Sequence, residues 1–496
     1  MYVMGIDLGT TGCKATVFDE QGTIMEQAYR EYPVHAYTGA IDPEMIWEET
    51  KSVIKKCTKS YPRIEAISTT SFGESVVLVD KDKQAIGTCI LYTHGGVSQE
   101  WDRLNQAIGM ERIVEITGHI SHPMYTINRL MWYKHNQKEL YEDTGKFMFI
   151  SAFINMKLCD KCIAEDTHAA RTMAYDIKKR SWSHEILEAT EISISKLPTI
   201  VTAGDKIGHV LGRISDALGL ENNPIVIVGG HDQPCVALGM GAVQGGQAVY
   251  GLGTVECLSV VLDHYQQNEE MSRCHLICAP HVVPGKYLVY GVLYSGGNVI
   301  KEIRNRCYAV EYQQHENQDI YPLMFKEMEK TQTQIVFIPH ISGAGTPFMD
   351  MDAYGSIIGL RVDLKREELL RAALQGLGFD MRLNIDNMAK SGMPITKLSV
   401  AGGGAKSLEA LRLRVNALGR GVYVPKDVQA GTKGVFFIAA RSLGWIKSFD
   451  HINIINGQMI EPSPHSMETY TLAYERYQCI AKAVRDTMQL HSIQKH

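Results

Sequence analysis

One short stretch, Asp7-Leu8-Gly9-Thr10-Thr11-Gly12-Cys13-Lys14, constrains the fold more than any other, because an altered copy of it opens the second half of the chain. Set beneath residues 7–19 without a gap, residues 251–263 repeat Leu-Gly-Thr, a cysteine, a valine and the final aspartate. Apolar runs flank both copies, so each reads as a β-hairpin with a glycine-rich turn. Glycines let a tight turn bring backbone N–H groups close to an anion. Thr10 and Thr11 add hydroxyls, Lys14 adds charge, and Asp7 at the strand end suits a hydrated divalent cation. These are the parts of a phosphate grip. Any glycine-rich hairpin shares some of them; recurrence at one offset points to a duplicated chain with paired grips. The second copy keeps Gly253 and Thr254 but has Gly251 and Leu258 where the first has its acid and its lysine.

At 496 residues the chain is long enough for two domains, and the repeat offset places them at residues 1–244 and 245–496. A formal net charge of −5 gives no footprint for nucleic acid or an anionic membrane. The longest stretch without formal charge, residues 233–255, is broken by three glutamines and six glycines and makes a poor membrane helix. Eleven scattered cysteines, and an N-terminus that enters a strand with no signal-peptide pattern, point to a reduced, cytoplasmic protein. Cys159-Asp160-Lys161-Cys162 has no second pair or histidine at ligand spacing, so zinc or redox use is disfavoured.

After the first hairpin, residues 23–28 read as a third strand. Asp42-Pro43 supplies a helix N-cap followed by a proline at the first helical position, and Ile46, Thr50, Val53, Ile54 and Cys57 line one face of that helix. A strand over 64–69 follows. Three strands, a helix and another strand form the opening order of a ribonuclease-H-like domain. The loops carrying Gly73 and Glu74, and Tyr92 to Gly96 after a strand over 88–91, lie at strand ends, where open α/β sheets bind small ligands. Glu74 and His94 are candidates for hydroxyl contacts to a polar substrate. Residues 182–197 read as a helix stopped by Pro198.

A buried strand over 224–228 runs into Gly229-Gly230-His231-Asp232-Gln233. Its two glycines allow close approach of a ligand, and a carboxylate at Asp232 can take a proton from an attacking alcohol in phosphoryl transfer. Gln233 can bind a hydroxyl beside it. The same position equally suits an aspartate that caps the following helix.

In the second half, Ser295-Gly296-Gly297-Asn298 starts a helix containing Lys301, an N-terminus that can face a nucleotide. A long helix over 366–390 precedes a strand over 397–400, and Gly402, Gly403 and Gly404 with Ala405 then link that strand to a helix over 407–418. Such a turn suits a flat adenine or ribose, and suits close packing as well. Helix returns over 430–445, and the last fifteen or so residues carry no motif. The P-loop, the complete dinucleotide fingerprint and the protein-kinase catalytic loop are absent.

Together these motifs resemble the FGGY family of carbohydrate kinases from Met4 to about Phe449. Asp7-x-Gly9-Thr10-x-x-x-Lys14 is similar to the family's first phosphate motif, Leu252-Gly253-Thr254 to its second, Gly229 to Gln233 to the segment of its catalytic aspartate, and Gly402 to Ala405 to its adenosine motif. The loop from Ser342-Gly343 to Thr346-Pro347, with Gly355 and Gly359-Leu360, resembles its signature region. The resemblance implies an α/β chain of two ribonuclease-H-like (actin-like ATPase) domains flanking a catalytic cleft. It implies ATP with Mg²⁺, and a small sugar held mainly by the first domain; a homodimer stays open. Asp232 becomes the general base, with Gly73, Glu74, His94 and Gln233 at the sugar. Gly9, Thr10, Thr11, Lys14, Gly253, Thr254, Gly297, Lys301 and Gly402 to Ala405 serve the nucleotide, and Asp7 and Asp232 the metal.

Two loops depart from the family pattern: Tyr92, His94 and Gly96 replace a usual Trp, acid and Arg, and Ala344-Gly345 replaces a charged pair. Ser71 to Glu74 and Phe149 to Asn155 look more like L-fuculose kinases than glycerol kinases, whereas the length suits xylulose kinases equally. The expected substrate is therefore a ketose, a pentulose or deoxyhexulose, phosphorylated on a primary hydroxyl. Other readings are a nucleotide-driven clamp without sugar chemistry and a catalytically silent sugar-binding regulator. The presence of Asp7, Lys14 and Asp232-Gln233 disfavours both.

Overall fold

The run before the first turn forms β1 (Tyr2–Leu8), which pairs antiparallel with β2 (Gly12–Asp19), and β2 with β3 (Ile24–Glu31). On its other side β1 lies parallel to β4 (Ala66–Ser71), and β4 lies parallel to β6 (Ile225–His231). An antiparallel strand, β5 (Lys206–His209), closes that edge, giving the six-stranded order β5-β6-β4-β1-β2-β3. Helix α1 (Pro43–Thr58) connects β3 to β4. Asp42 accepts the Glu44 N–H at 2.9 Å, and the expected face of Ile46, Thr50, Val53, Ile54 and Cys57 is buried. This computed structural model describes residues 1–33, 39–91, 96–315, 318–426, 429–452 and 457–492.

The second sheet repeats the plan. Its hairpin is β7 (Gln247–Leu252) with β8 (Glu256–Leu262); β8 pairs with β10 (Tyr287–Leu293), beside β9 (Ile277–Pro280). Parallel to β7 runs β11 (Lys397–Ala401), then β12 (Val422–Pro425), with antiparallel β13 (Gly457–Ile460) at the edge. Read from that edge, β13-β12-β11-β7-β8-β10 matches β5-β6-β4-β1-β2-β3 strand for strand and direction for direction. The duplication inferred from the hairpins therefore extends through both sheets.

The two turns are not identical. Leu8 pairs with Cys13 across the first, whereas Leu252 pairs with Glu256 across the second, so the second tip is one residue tighter. Beyond the turn the gapless alignment is thus out of step, and Glu256, not Cys257, stands opposite in place of Cys13. Since a one-residue slip exchanges the two faces of a strand, Glu256 is the buried residue and Cys257 is only half-buried.

The helices that follow the two equivalent strands pack against each other between the sheets. After β6 comes α3 (Asp232–Gly239), whose Cys235 and Leu238 pack with the first sheet and whose Ala237 packs with Val249, Val261, Ile277 and Leu288 of the second. After β12 comes α7 (Ala430–Ser442), whose Val435, Phe436, Ile438 and Ala439 pack with Val3, Phe18, Ala66 and Ile227 of the first. The helices touch backbone to backbone. A Cβ on Gly239 would lie 1.9 Å from the Ala430 carbonyl oxygen, and one on Gly434 would lie 1.9 Å from that of Cys235.

Four further elements position the site: α2 (Asp166–Ala170), α4 (Gly297–Cys307), α5 (Arg366–Lys390) and α6 (Leu408–Leu418). The helix expected over 182–197 is shorter, His184–Thr190, because Glu191 turns left-handed (φ 52°) and its carbonyl and carboxylate are held by Lys134. The strand expected over 88–91 shrinks to Cys89–Ile90. The unassigned tail forms a 26-residue helix, α8 (Met467–Ser492), which buries Tyr470, Tyr474 and Tyr477 against Phe379. Among the described residues no helix is long and apolar enough to cross a membrane.

Candidate active site

Both sheets deliver loops to the space between them, at the ends of their central parallel strands. In the first sheet, β1 ends near Asp7, β4 leads to Gly73 and Glu74, and β6 runs directly into Asp232. The two glycines before Asp232 answer to close packing. A Cβ on Gly229 would lie 2.1 Å from the Thr69 carbonyl oxygen, and one on Gly230 would lie 2.4 Å from Val282. That space belongs to protein, which corrects the expectation that it admits a ligand.

Asp232 begins α3 and does not cap it; the N-cap position is His231, which makes no side-chain capping bond. The Asp232 side chain is about one third open (32%), and its Oδ1 accepts from the Gln233 N–H at 2.6 Å and faces His231 Nε2 at 3.0 Å. Burial, then the charges of Arg171, His168 and His119, keeps His231 well below the usual histidine range, so its ring is neutral at pH 7 with Nε2 facing the carboxyl. Oδ1 is thus engaged and Oδ2 is left for a substrate. Burial, then the charges of Asp7 and Glu74, push the Asp232 carboxyl up to about 7, against the opposing pull of the Gln233 N–H and Arg171.

Glu74 lies on a left-handed turn (φ 62°) and is buried, in an ion pair with Arg171, which follows α2. Arg171 also stacks on Tyr125 at 5.2 Å. Gly73 is required here, because a Cβ would come within 2.9 Å of the His231 ring. Sequence reasoning missed Arg171, which sits in no motif; the only signal was that a glutamate in a buried loop needs a cation. His94 falls outside the described residues. The Gln233 side chain is half-buried beside Asp232.

At the first hairpin the Gly9 N–H closes the turn on Gly12 O at 2.9 Å, which leaves the N–H groups of Thr10 and Thr11 at the tip. Asp7 and Lys14 are cross-strand partners. Burial raises the Asp7 carboxyl while Lys14 lowers it. Lys14 Nζ donates to Gln429 Oε1 at 2.7 Å, and a Cβ on Gly431 would lie 2.5 Å from Asp7 Oδ2, so the start of α7 packs onto this hairpin.

The second-half candidates converge. Gly253 and Thr254 are exposed at their tip, and the Gly297 N–H at the start of α4 donates to Gly253 O at 2.8 Å. Lys301 is exposed one turn further along α4. Gly402 and Gly404 pack on Leu252, while Gly403 faces open space, as a flat group resting on the backbone requires; Ala405 is buried behind them. Beneath the hairpin, Glu256 is buried in an ion pair with Arg414 of α6 at 2.7 Å, and Tyr250 donates to the same carboxylate. Gly345 meets the Val292 carbonyl so closely (1.8 Å from a Cβ) that no side chain fits there.

Among the described residues no three His, Cys, Asp or Glu side chains converge on a common point. The donor set at the cleft is the pair Asp7 and Asp232. Two carboxylates without a full cage fit Mg²⁺, which keeps water and substrate phosphate among its ligands.

Comparison with known proteins gives the family of the chain. Residues 2–239 match the N-terminal domain of the FGGY family of carbohydrate kinases, and residues 248–443 match its C-terminal domain. A xylulose kinase of Staphylococcus xylosus is 26% identical over 98% of this chain and 100% of its own length, and a gluconokinase of Bacillus subtilis is 24% identical over 93% and 92%. The crystal structure of a ligand-bound xylulose kinase from Lactobacillus acidophilus superposes with a TM-score of 0.89 at 23% identity, covering 99% of both chains. The chain is thus a sugar kinase that belongs to the FGGY family of carbohydrate kinases, with the two-domain actin-like ATPase fold.

Proposed function

We infer that the protein transfers the γ-phosphoryl group of ATP to a primary hydroxyl of a neutral ketose, with Asp232 as general base. Residues 1–244 would supply the sugar side and residues 245–496 most of the nucleotide side. The observation that carries the reading is the placement of Asp232 at the end of β6, with one oxygen held at His231 and Gln233 and the other free. Burial pushing the carboxyl up to about 7 agrees with it. The sugar oxygen loses its proton to Asp232 Oδ2 and forms a bond to the γ-phosphorus, as the bond from that phosphorus to the bridging oxygen of ADP breaks in line. Thr10, Thr11, Gly253 and Thr254 would steady the phosphates, Gly402 to Ala405 the adenosine, and Lys301 the phosphate chain from α4. Mg²⁺ held by Asp7 would supply charge neutralisation on the phosphates, which leaves Asp232 Oδ2 to the sugar.

Gluconate, the substrate named for one relative, is an anion. Among the described residues the cleft places Asp7, Glu74 and Asp232 against Lys14 and Arg171, and Glu74 already neutralises Arg171. Lys14 donates to the neutral Gln429 amide, and Arg129, buried near Glu74, bonds to backbone carbonyls, so the ketose reading rests on the xylulose kinases among the relatives. The test is sugar-dependent ADP release with ATP and Mg²⁺ across D- and L-xylulose, D- and L-ribulose, L-fuculose, L-rhamnulose, gluconate and glycerol. One ketose should dominate; turnover confined to gluconate or glycerol overturns the proposal.

The pKa of Asp232 predicts an acid limb. Transfer needs the ionised carboxylate, so kcat/KM for the sugar should fall about tenfold per pH unit below pH 7 and level off above it. A profile flat from pH 5.5 to 9 would show that another group accepts the proton.

A further inference from the structure

The loop of residues 340–347 is held at both ends by one face of α5. At its start His340 Nε2 donates to Asp380 Oδ2 at 2.8 Å. At its end Asn384, one helical turn beyond Asp380, donates to Thr346 O at 2.9 Å and accepts from the Thr346 hydroxyl at 2.6 Å. The second oxygen of Asp380 accepts from the Tyr477 hydroxyl of α8 at 2.8 Å. Asp380, Asn384 and Tyr477 are all buried.

Between its two anchors the loop touches the nucleotide side. The Ser342 N–H donates to Ser295 Oγ at 3.1 Å, and Asn298 Nδ2 donates to Ser342 Oγ at 3.0 Å. Asn298 Oδ1 in turn accepts from the Gly296 N–H at 2.7 Å, and the next residue, Gly297, is bonded to Gly253 in the second hairpin. Hydrogen bonds thus connect the C-terminal helix, through α5 and this loop, to the tip proposed to hold phosphate.

We propose that Asp380, Asn384 and Tyr477 are positioning residues for the nucleotide, holding the 340–347 loop so that the start of α4 and the second hairpin keep their spacing. This rests on the reading of that hairpin as a phosphate grip. A purely structural role would lower the melting temperature and leave nucleotide affinity of the folded protein unchanged. The test compares wild type, Asp380→Asn and Tyr477→Phe for ADP affinity by calorimetry, and for the KM of ATP and of the responding sugar. Asp380→Asn should weaken ADP binding and raise the KM of ATP about tenfold, and Tyr477→Phe about threefold, with the sugar KM changed less than about twofold. Wild-type ADP affinity in both folded variants overturns the proposal and leaves the phosphate-grip reading intact. A wild-type chain that binds no ADP removes both. Should Asp380→Asn fail to fold, Tyr477→Phe alone decides.

Discussion

Asp232→Asn is expected to lower kcat by roughly 10²–10⁴-fold while ADP binding is retained. The amide keeps the shape of the carboxylate and can still accept the Gln233 N–H, so the geometry at the start of α3 survives. What is lost is the free oxygen's capacity to take a proton. Stability supplies an internal control. The folded-state pKa of Asp232 is about 7 against an ordinary 3.8, so the native state favours the protonated form. Its stabilising contribution is complete below the unfolded-state value and is lost as pH rises through 7, where ionisation in the buried site becomes unfavourable. Asparagine has no charge to bury. At pH 8 the variant should therefore melt at or above the wild-type temperature, and a sharp fall in melting temperature would trace the loss of activity to misfolding instead. Turnover within threefold of wild type would remove Asp232 from the mechanism.

The second large effect belongs to stability. Arg414→Met should cost about 3–5 kcal/mol, because it strands the Glu256 carboxylate, only 1% exposed, with Tyr250 as its sole remaining partner. Burial raises the Glu256 carboxyl and Arg414 lowers it, so removing the guanidinium drives that group toward its neutral form and adds a pH dependence to unfolding. The double variant Glu256→Met/Arg414→Met removes the buried charge altogether and should recover most of the loss. Chemical denaturation of the three variants checks this. If the single variant loses less than 1 kcal/mol, the pair is not what secures the second hairpin.

The parts of the fold governed by local chemistry were legible in the chain. Asp42-Pro43 and the apolar face behind it specify α1, and the glycine-rich turns specify both hairpins, because capping and turn preferences act over a few residues. The single-residue shortening of the second turn was hidden, since a gapless match scores residue types and not the hydrogen-bond register that decides which face is buried. Arg171 was invisible for a related reason. It comes near Asp232 through the loop that follows α2, and no spacing links it to the 97 residues separating it from Glu74. The break at Glu191 depends on a lysine 57 residues away. In α8, Tyr470, Tyr474 and Tyr477 had helical spacing, yet the partner they bury against, Phe379, lies about ninety residues earlier in the chain. The strand-end positions of Asp7, Glu74 and Asp232 followed from pattern alone, whereas the pairing of Glu74 and the packing role of Gly229 and Gly230 required the tertiary structure.

Because α7 from the second half covers the first sheet and α3 reaches both, the two sheets are interdependent as folding units. A chain severed near residue 244 would leave Val3, Phe18 and Ala66 without the helix that covers them, since that cover is synthesised almost two hundred residues later. The first sheet must then wait, with part of its apolar face bare, until residues 430–442 have been made. Apolar surface left uncovered in an incomplete chain is what makes such intermediates prone to aggregate.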